Sequence, residues 1–537
     1  MWGANWRERL PTVLAGDWDL VIVGGGITGA GILLEAARRG LRALLVEQRD
    51  FAWGTSSRSS KLVHGGLRYM REGRLLLTRA SVREREHLLH AAAGLVQPQS
   101  FAFADYRGRK PGRWLFALAL TLYDWMAGQR THRYYPAQEF LLLAPHIARA
   151  GLKGGMCYGD AKTDDARLVL RVLQEALAAG GAAVNYLAAT AVLRSEGRAN
   201  GVELRDALSG ATYAIGAKIV VNATGAWADG LRQSAPAGPR LRPLRGSHLL
   251  LPAWRLPLAQ AVSLLHPRDG RPVFAFPWEG VSLVGTTDVD HSADLQAEAA
   301  ITPEEVAYLM QALEFQFPEL DLSLDDIIAT FAGVRTVIDS GEADPSKEAR
   351  DHAIWLEQGL MTVTGGKLTT FRLIARDALA RCAPLLPPAR EPARAAGTAF
   401  TRPAPLPAHR ALTPAQARRL QGRYGAHAID LVAAAHAGEL DAIAGSETLW
   451  AELRWAARAE AVIHLEDLLL RRTRLGLQLR LGGAELLPRI RAVCQAELGW
   501  DDSRWQSEQA AYLELWRRHY SLPPRAAIPD WRALAPG

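Results

Sequence analysis

Residues 19–47 constrain this chain more than any other stretch. Asp19-Leu-Val-Ile-Val-Gly24-Gly25-Gly26-Ile27-Thr28-Gly29-Ala30-Gly31 reads as a buried strand, a glycine turn and the start of a helix. Arg42-Ala-Leu-Leu-Val-Glu47 then reads as a second strand ending in an acid. Each piece has a task in holding an adenine dinucleotide. Gly24 turns the chain off the strand, Gly26 lets a pyrophosphate approach the backbone, and Gly29 lets the helix pack against the sheet. The helix N-terminus offers N–H groups and a positive dipole end to the phosphates. Glu47 suits ribose hydroxyls and argues against a 2′-phosphate. A lone glycine fingerprint is weak evidence, but a strand before it and an acid about 20 residues on make it specific. It does not separate NAD from FAD, and it names no reaction.

With 537 residues the chain exceeds one hydrophobic core, so two or three domains are expected. Its three cysteines, Cys157, Cys382 and Cys494, are far apart and form no CxxC. That points to a reducing cytosol, without a disulfide framework or a metal site. A net charge of +7 is modest for this length. It permits an anionic substrate or membrane face, while the lack of a basic tail or aromatic–basic motif argues against nucleic acid. The first ten residues lack a signal-peptide core, and no run reaches the ~18 apolar residues that span a bilayer.

Further along, residues 79–92 and 164–180 have helical patterns, the second with an acidic first turn that suits the helix dipole. Lys218-Ile-Val-Val221 runs as a buried strand into Asn222-Ala223-Thr224-Gly225. Residues 245–290 alternate like an antiparallel sheet. Strand patterns return at 353–364, before Gly365-Gly366-Lys367 opens a helix. The expected fold is therefore α/β: a discontinuous Rossmann-like dinucleotide domain (17–105, 150–240 and 325–385) and an antiparallel substrate domain (106–149 and 241–324). A Pro- and Ala-rich linker (386–410) and a C-terminal helical domain (411–525) complete it.

These blocks also carry a resemblance. The glycine turn, Thr55-Ser56-Ser57-Arg58-Ser59-Ser60-Lys61 followed by His64-Gly65-Gly66-Leu67-Arg68-Tyr69, Asn222–Gly225, Arg245-Gly-Ser-His248, Val284-Gly-Thr-Thr-Asp288, Gly333-Val-Arg335, Arg350-Asp-His352, Gly365–Phe371 and Glu460–Arg474 occur in this order. The chain resembles the FAD-dependent, aerobic-type glycerol-3-phosphate dehydrogenases over residues 17 to 500. The resemblance implies FAD and a glutathione-reductase-type flavin domain. It also implies oxidation of sn-glycerol 3-phosphate to dihydroxyacetone phosphate, with hydride passing from C2 to flavin N5 and electrons to a membrane quinone. Two residues depart from the family's pattern: Thr336 stands where proline is usual, and Arg58 is larger than usual.

On that reading a dianionic phosphate calls for forked cations, and Arg68 and Arg335 match the family's motifs. Lys367, at a helix start that the dipole would otherwise disfavour for a cation, suits substrate oxygen or a reduced flavin ring. The C2 hydroxyl needs a base near neutral pKa, and both His64 and His248 qualify. Tyr69 serves as a hydrogen-bond donor or as packing, and Thr287 and Asp288 as site residues or turn caps. For FAD, Gly24, Gly26, Gly29 and Glu47 take the ADP half. Ser56, Ser57, Ser59 and Lys61 are candidates for pyrophosphate or ring atoms, Gly225 for the adenosine side and Gly366, with Lys367, for the isoalloxazine.

A quinone acceptor implies a peripheral position on the inner face of the cytoplasmic membrane. Residues 107–133 have the composition for it, with Arg107, Arg109, Lys110 and Arg113 before Trp114–Tyr123 and Trp125, then Arg130 and Arg133. The same composition suits a core helix with a solvated basic turn. An oxidase passing electrons to oxygen is the close alternative. A flavin amine or amino-acid oxidase is more distant, because it needs no cluster of cations. The sequence leaves a homodimer open.

Overall fold

The computed structural model describes residues 2–533, apart from residues 4, 72, 110–111, 233–240, 340, 342–351 and 389–399 and the side chains of residues 68 and 71. Among the described residues the strands gather into two sheets. The first grows around Trp18–Val23, whose Leu20, Val21 and Ile22 are fully buried. An apolar run without alternation is what a parallel strand covered by helices on both faces requires.

The strand order is Ala353–Glu357, Leu360–Thr364, Thr212–Asn222, Trp18–Val23, Ala43–Val46, Ala182–Val184. Along this row the pairings are parallel except between Ala353–Glu357 and Leu360–Thr364; off it, Arg198–Asp206 pairs antiparallel with Thr212–Asn222 and with Leu187–Ser195. Val23 lies beside Val46 on one side and Asn222 on the other, and Asn222 beside Thr362. The carboxyl ends of four strands thus stand in a row. The chain leaves the first strand toward one edge and returns later on the other side. That switch point is where an open α/β sheet forms its ligand crevice. Ile27–Arg38 packs between Asp165–Ala178 and Phe371–Cys382 beneath this row.

The second sheet is antiparallel except where Ala261–Leu265 runs parallel to Val96–Tyr106. It corrects the domain limits expected at 105, 150 and 325. Val96–Tyr106 pairs along its length with Leu152–Thr163, and Ala329–Ile338 pairs with Leu241–Pro252. These strands belong to the substrate-side sheet because their backbone hydrogen bonds are made there. The C-terminal helices Trp450–Ala459, Leu487–Leu498 and Asp502–His519 share a core with it, while Leu420 and Tyr424 of Pro414–Tyr424 pack in a separate cluster with Leu431 and Trp455. Phe276, Trp278 and Phe331 of the sheet pack in one cluster with Leu469, Tyr512 and Trp516.

Residues 113–127 do form a helix, and it is not a core helix. Leu120 and Tyr123 are buried, but Trp114, Leu118 and Trp125, at helical spacing, are 76%, 67% and 71% exposed. Leu115 and, on the helix Ala137–Leu143, Leu142 are exposed too. Among the described residues no helix is long and apolar enough to cross a membrane.

Candidate cofactor and substrate site

Above the row of strand ends lies a cavity of about 600 Å³. One wall is the glycine turn. Gly24 takes φ +116°, and a Cβ on Gly29 would stand 1.9 Å from the Gly24 carbonyl oxygen, so helix and turn meet backbone to backbone. Gly29 therefore supports this wall from below, while Gly24 and Gly26 line the cavity. The Ser56 hydroxyl accepts from the Ile27 N–H at 3.0 Å, satisfying one N–H of the helix's first turn. Glu47 also lines the cavity. Its Oε2 accepts from Gly25 N at 2.7 Å and its Oε1 from Arg49 N at 2.9 Å. Burial raises the Glu47 carboxyl above its ordinary range, against the pull of those two N–H groups. A carboxylate accepts about four hydrogen bonds, so capacity remains for ribose hydroxyls.

The other wall comes from distant segments. Gly225, at φ +61°, has open space where a Cβ would project, which leaves room for a ligand against the backbone. Gly366, Lys367 and Arg335 line the same cavity. Arg335 is 29% exposed on its side chain, and its Nη2 donates to Asp288 Oδ1 at 2.5 Å. Asp288, almost fully buried, also takes Arg271 at 3.0 Å. It is thus a holder of Arg335 rather than a turn cap. Thr287 is structural, accepting from Ser247 N and donating to Glu305. Thr336, in the cavity wall, keeps regular strand pairing opposite Pro243, so the missing proline leaves the strand intact.

Lys367 Nζ lies 3.4 Å from the centroid of the Tyr69 ring, a cation–π contact. The His64 ring stacks 6.4 Å from Tyr69, and the His64 carbonyl accepts from Thr369 Oγ1 at 3.4 Å. His64, Tyr69 and Lys367 thus form one cluster at the cavity's edge. Arg68 belongs to the short helix Leu67–Arg71, and its side chain lies outside the described residues, as does most of Arg350–His352.

Three expected ligands face elsewhere. Lys61 is fully buried and donates to Asp165 Oδ2 at 2.9 Å and the Ser57 carbonyl at 2.5 Å. Burial, with Arg474 nearby, lowers its pKa to about 7. The turn Thr55–Ser57 sends Lys61 into the protein, and an ammonium there needs its carboxylate. The Ser57 hydroxyl lies 3.5 Å from the Trp53 carbonyl and does not line the cavity, whereas Ser56 and Ser59 do. His248 is buried, with Nε2 2.9 Å from Ser60 Oγ and its ring stacked 4.4 Å from Phe331. Burial, with the Lys61 charge, pushes its pKa well below that of free histidine. It lies on the strand Leu241–Pro252 and is not among the residues that line the cavity.

Sequence reasoning missed Trp53, Trp227 and Gln296, which line the cavity. Trp53 and Trp227 stand 5.7 Å apart, and Trp227 Nε1 is buried without a hydrogen-bond partner among the described residues. A polar atom left over on a lining residue, a glycine-lined backbone wall and a carboxylate with spare acceptor capacity together fit an adenine dinucleotide.

Comparisons with known proteins give the same direction. The model of the FAD dependent oxidoreductase family matches residues 19–380. The model of the C-terminal domain of alpha-glycerophosphate oxidase matches residues 392–505. The chain is 39% identical over 368 residues to the aerobic glycerol-3-phosphate dehydrogenase of Staphylococcus epidermidis, covering 67% of this chain and 66% of that one. It therefore spans just under two-thirds of that relative's length. To the aerobic glycerol-3-phosphate dehydrogenase of Staphylococcus aureus it is 38% identical over 379 residues, 69% and 68% of the two chains. A crystal structure of the glycerol-3-phosphate dehydrogenase from Bacillus halodurans complexed with FAD superposes with a TM-score of 0.76 at 28% identity, covering 96% and 98% of the two chains.

Proposed function

From the premise that the chain belongs to the FAD dependent oxidoreductase family, we propose that it oxidises sn-glycerol 3-phosphate to dihydroxyacetone phosphate and passes the electrons to a membrane quinone. The observation that carries the substrate is the pair of cations, Arg335 and Lys367, that line the same cavity as the glycine turn. Two cations match a dianionic phosphate ester, whereas an amino-acid carboxylate carries a single negative charge.

FAD, when bound, supplies the hydride acceptor. Gly24, Gly26, Glu47, Ser56, Ser59 and Gly225 would hold its ADP and pyrophosphate, and Gly366 and Lys367 would meet the ring. The chain's own residues do the rest. Arg335, steadied by Asp288, binds phosphate through its planar fork. Lys367, steadied over Tyr69, neutralises substrate oxygen. His64 accepts the C2 hydroxyl proton: it is the histidine grouped with Tyr69 and Lys367, while His248 is engaged by Ser60 and Phe331. Arg68 is a second phosphate ligand by its motif.

Anaerobic mixing with glycerol 3-phosphate should bleach the oxidised flavin spectrum. An unchanged spectrum sinks the substrate assignment.

Membrane contact is the second half of the proposal. Trp114, Leu115, Leu118, Trp125 and Leu142 expose apolar and aromatic surface beside Arg107, Arg113, Arg130 and Arg133. Such a surface supports a helix lying in a lipid interface, which the quinone reading puts on the inner face of the cytoplasmic membrane. An oxidase reading has one observation in its favour, the match of residues 392–505 to a domain described from alpha-glycerophosphate oxidase. Reoxidation of the reduced protein separates the two. A quinone analogue should outpace air, and the reverse order favours the oxidase.

A further inference from the structure

Three arginines of the C-terminal domain, Arg471, Arg472 and Arg474, are at most 1% exposed on their side chains. Burying three guanidinium groups is strongly unfavourable unless each is paired. Outside that domain their partners include Asp50 and the Ser57 carbonyl, in two loops whose Glu47, Gln48, Trp53, Ser56 and Ser59 line the cavity, and Asp165, which begins the helix Asp165–Ala178. Arg471 Nε donates to Asp50 Oδ2 at 2.5 Å, and Arg472 donates to both Asp50 oxygens at 2.6 and 2.7 Å. Asp50 lies three residues beyond Glu47. The same loop is stitched to the glycine turn by Ala52 N donating to the Gly25 carbonyl at 3.0 Å. Arg474 Nη2 donates to the Ser57 carbonyl at 2.6 Å and to Asp165 Oδ1 at 3.2 Å. Asp165 Oδ2 in turn accepts from the N–H and hydroxyl of Ser59 and from Lys61. One residue before Ser57, Ser56 caps the dinucleotide helix.

The backbone of the segment is unusual as well. Asp467–Arg472 is a π-helix, and Arg474 takes φ +65°, a left-handed conformation rare for a side chain of this size. Domain docking alone does not demand that all three arginines of a four-residue stretch reach cofactor-framing loops. One hand of this grip falls on the ribose side of the cavity and the other on the serine loop.

We infer that Arg471, Arg472 and Arg474 are positioning residues for FAD: the C-terminal domain presets the two loops that receive the cofactor, so that domain docking and FAD binding are coupled. The inference rests on the FAD reading of the cavity and not on the substrate or acceptor. Coupling is reciprocal, so FAD must in turn tighten the segment that grips its cradle.

The full-length holoenzyme tests this. FAD is removed, and rebinding is followed by quenching of flavin fluorescence, alongside the melting temperature of each apoprotein. Arg474→Gln should raise the FAD Kd by about tenfold or more, within the usual range of coupling between sites. Arg454→Gln is the control. It breaks a pair with Glu439 inside the C-terminal domain, so it should lower Tm and leave the Kd within about twofold. Equal effects of the two variants on Kd, or a lower Tm for Arg474→Gln at unchanged Kd, would reduce the segment to domain glue and overturn the inference. Should Arg474→Gln not fold, hydrogen exchange on the unaltered protein decides. Amides of residues 467–474 should exchange more slowly with FAD than without, and identical exchange overturns the coupling. Failure of the unaltered apoprotein to bind FAD at all would instead strike the cofactor assignment itself.

Discussion

The two walls of the cavity are built in opposite ways. The glycine-turn wall is local, backbone at Gly24 and Gly26 with one carboxylate, Glu47: all three fall within one βαβ unit, and their positions follow from tight turns and parallel register. The facing wall is assembled from Thr224–Gly225, Arg335–Thr336 and Gly365–Lys367, and its working groups are long side chains. Those side chains are aimed by others, Arg335 by Asp288 and Lys367 by Tyr69. Backbone sites tolerate no added atom but need no helper. Side-chain sites tolerate substitution sterically and depend on their holders.

Breaking the first wall should have the largest effect. Gly29→Ala puts a methyl group into the Gly24 carbonyl. The helix must move off the turn, at a cost of about 3 kcal/mol or more, as for severe overpacking. FAD content of the purified protein should fall to roughly a tenth or less, and near-normal flavin content would show that the turn is more compliant than its geometry. Arg335→Ala breaks the second wall alone. It should raise KM for glycerol 3-phosphate about 10- to 100-fold, the worth of a charged hydrogen-bonded contact, with FAD content kept. An unaltered KM removes Arg335 from the phosphate site.

Asp288→Asn asks how much of that effect is aim rather than charge. Arg335 and Arg271 would keep a partner but lose its charge. KM should rise by about tenfold or less, and the Arg335→Ala/Asp288→Asn double variant should be no worse than Arg335→Ala alone. Additive losses would mean that Asp288 acts on its own account. The smallest effect on turnover belongs to a surface outside both walls. Trp114→Glu should move the protein from membranes to the supernatant while leaving turnover with a soluble dye within about twofold. Fractionation that does not change would show that Arg113–Ala127 is not the contact.

The same contrast explains what the sequence made legible. Of the glycine wall, Gly24, Gly26 and Glu47 were singled out in the sequence and line the cavity, because turns and close approaches leave few residue choices, while Gly29 lies below it. Helix and strand positions for Asp165–Ala178 and Leu360–Thr364 followed from apolar spacing, and for Thr212–Asn222 only its buried end, Lys218–Val221. The serine loop was readable only in part. A turn such as Thr55–Ser57 has no repeating face, so nothing in the order of residues told Ser56 and Ser59 from Ser57 and Lys61. Sheet membership of Val96–Tyr106, Leu152–Thr163 and Ala329–Ile338 was hidden because pairing partners are a matter of topology. Trp53 and Trp227 lacked any signal, since aromatic residues in loops more often pack than bind.

The pairing of Asp50 with Arg472 spans 422 residues. At a synthesis rate of about 5–20 residues per second, Asp50 leaves the ribosome roughly 20–80 s before the arginine that neutralises it. A carboxylate in an apolar interior is costly unless it is protonated or paired. Until the C-terminal segment arrives, the first domain offers the Asp50 carboxylate, among the described residues, only the Asn185 amide, 3.0 Å from Oδ1, so the loop between Glu47 and Trp53 gains its charge neutralisation late in synthesis.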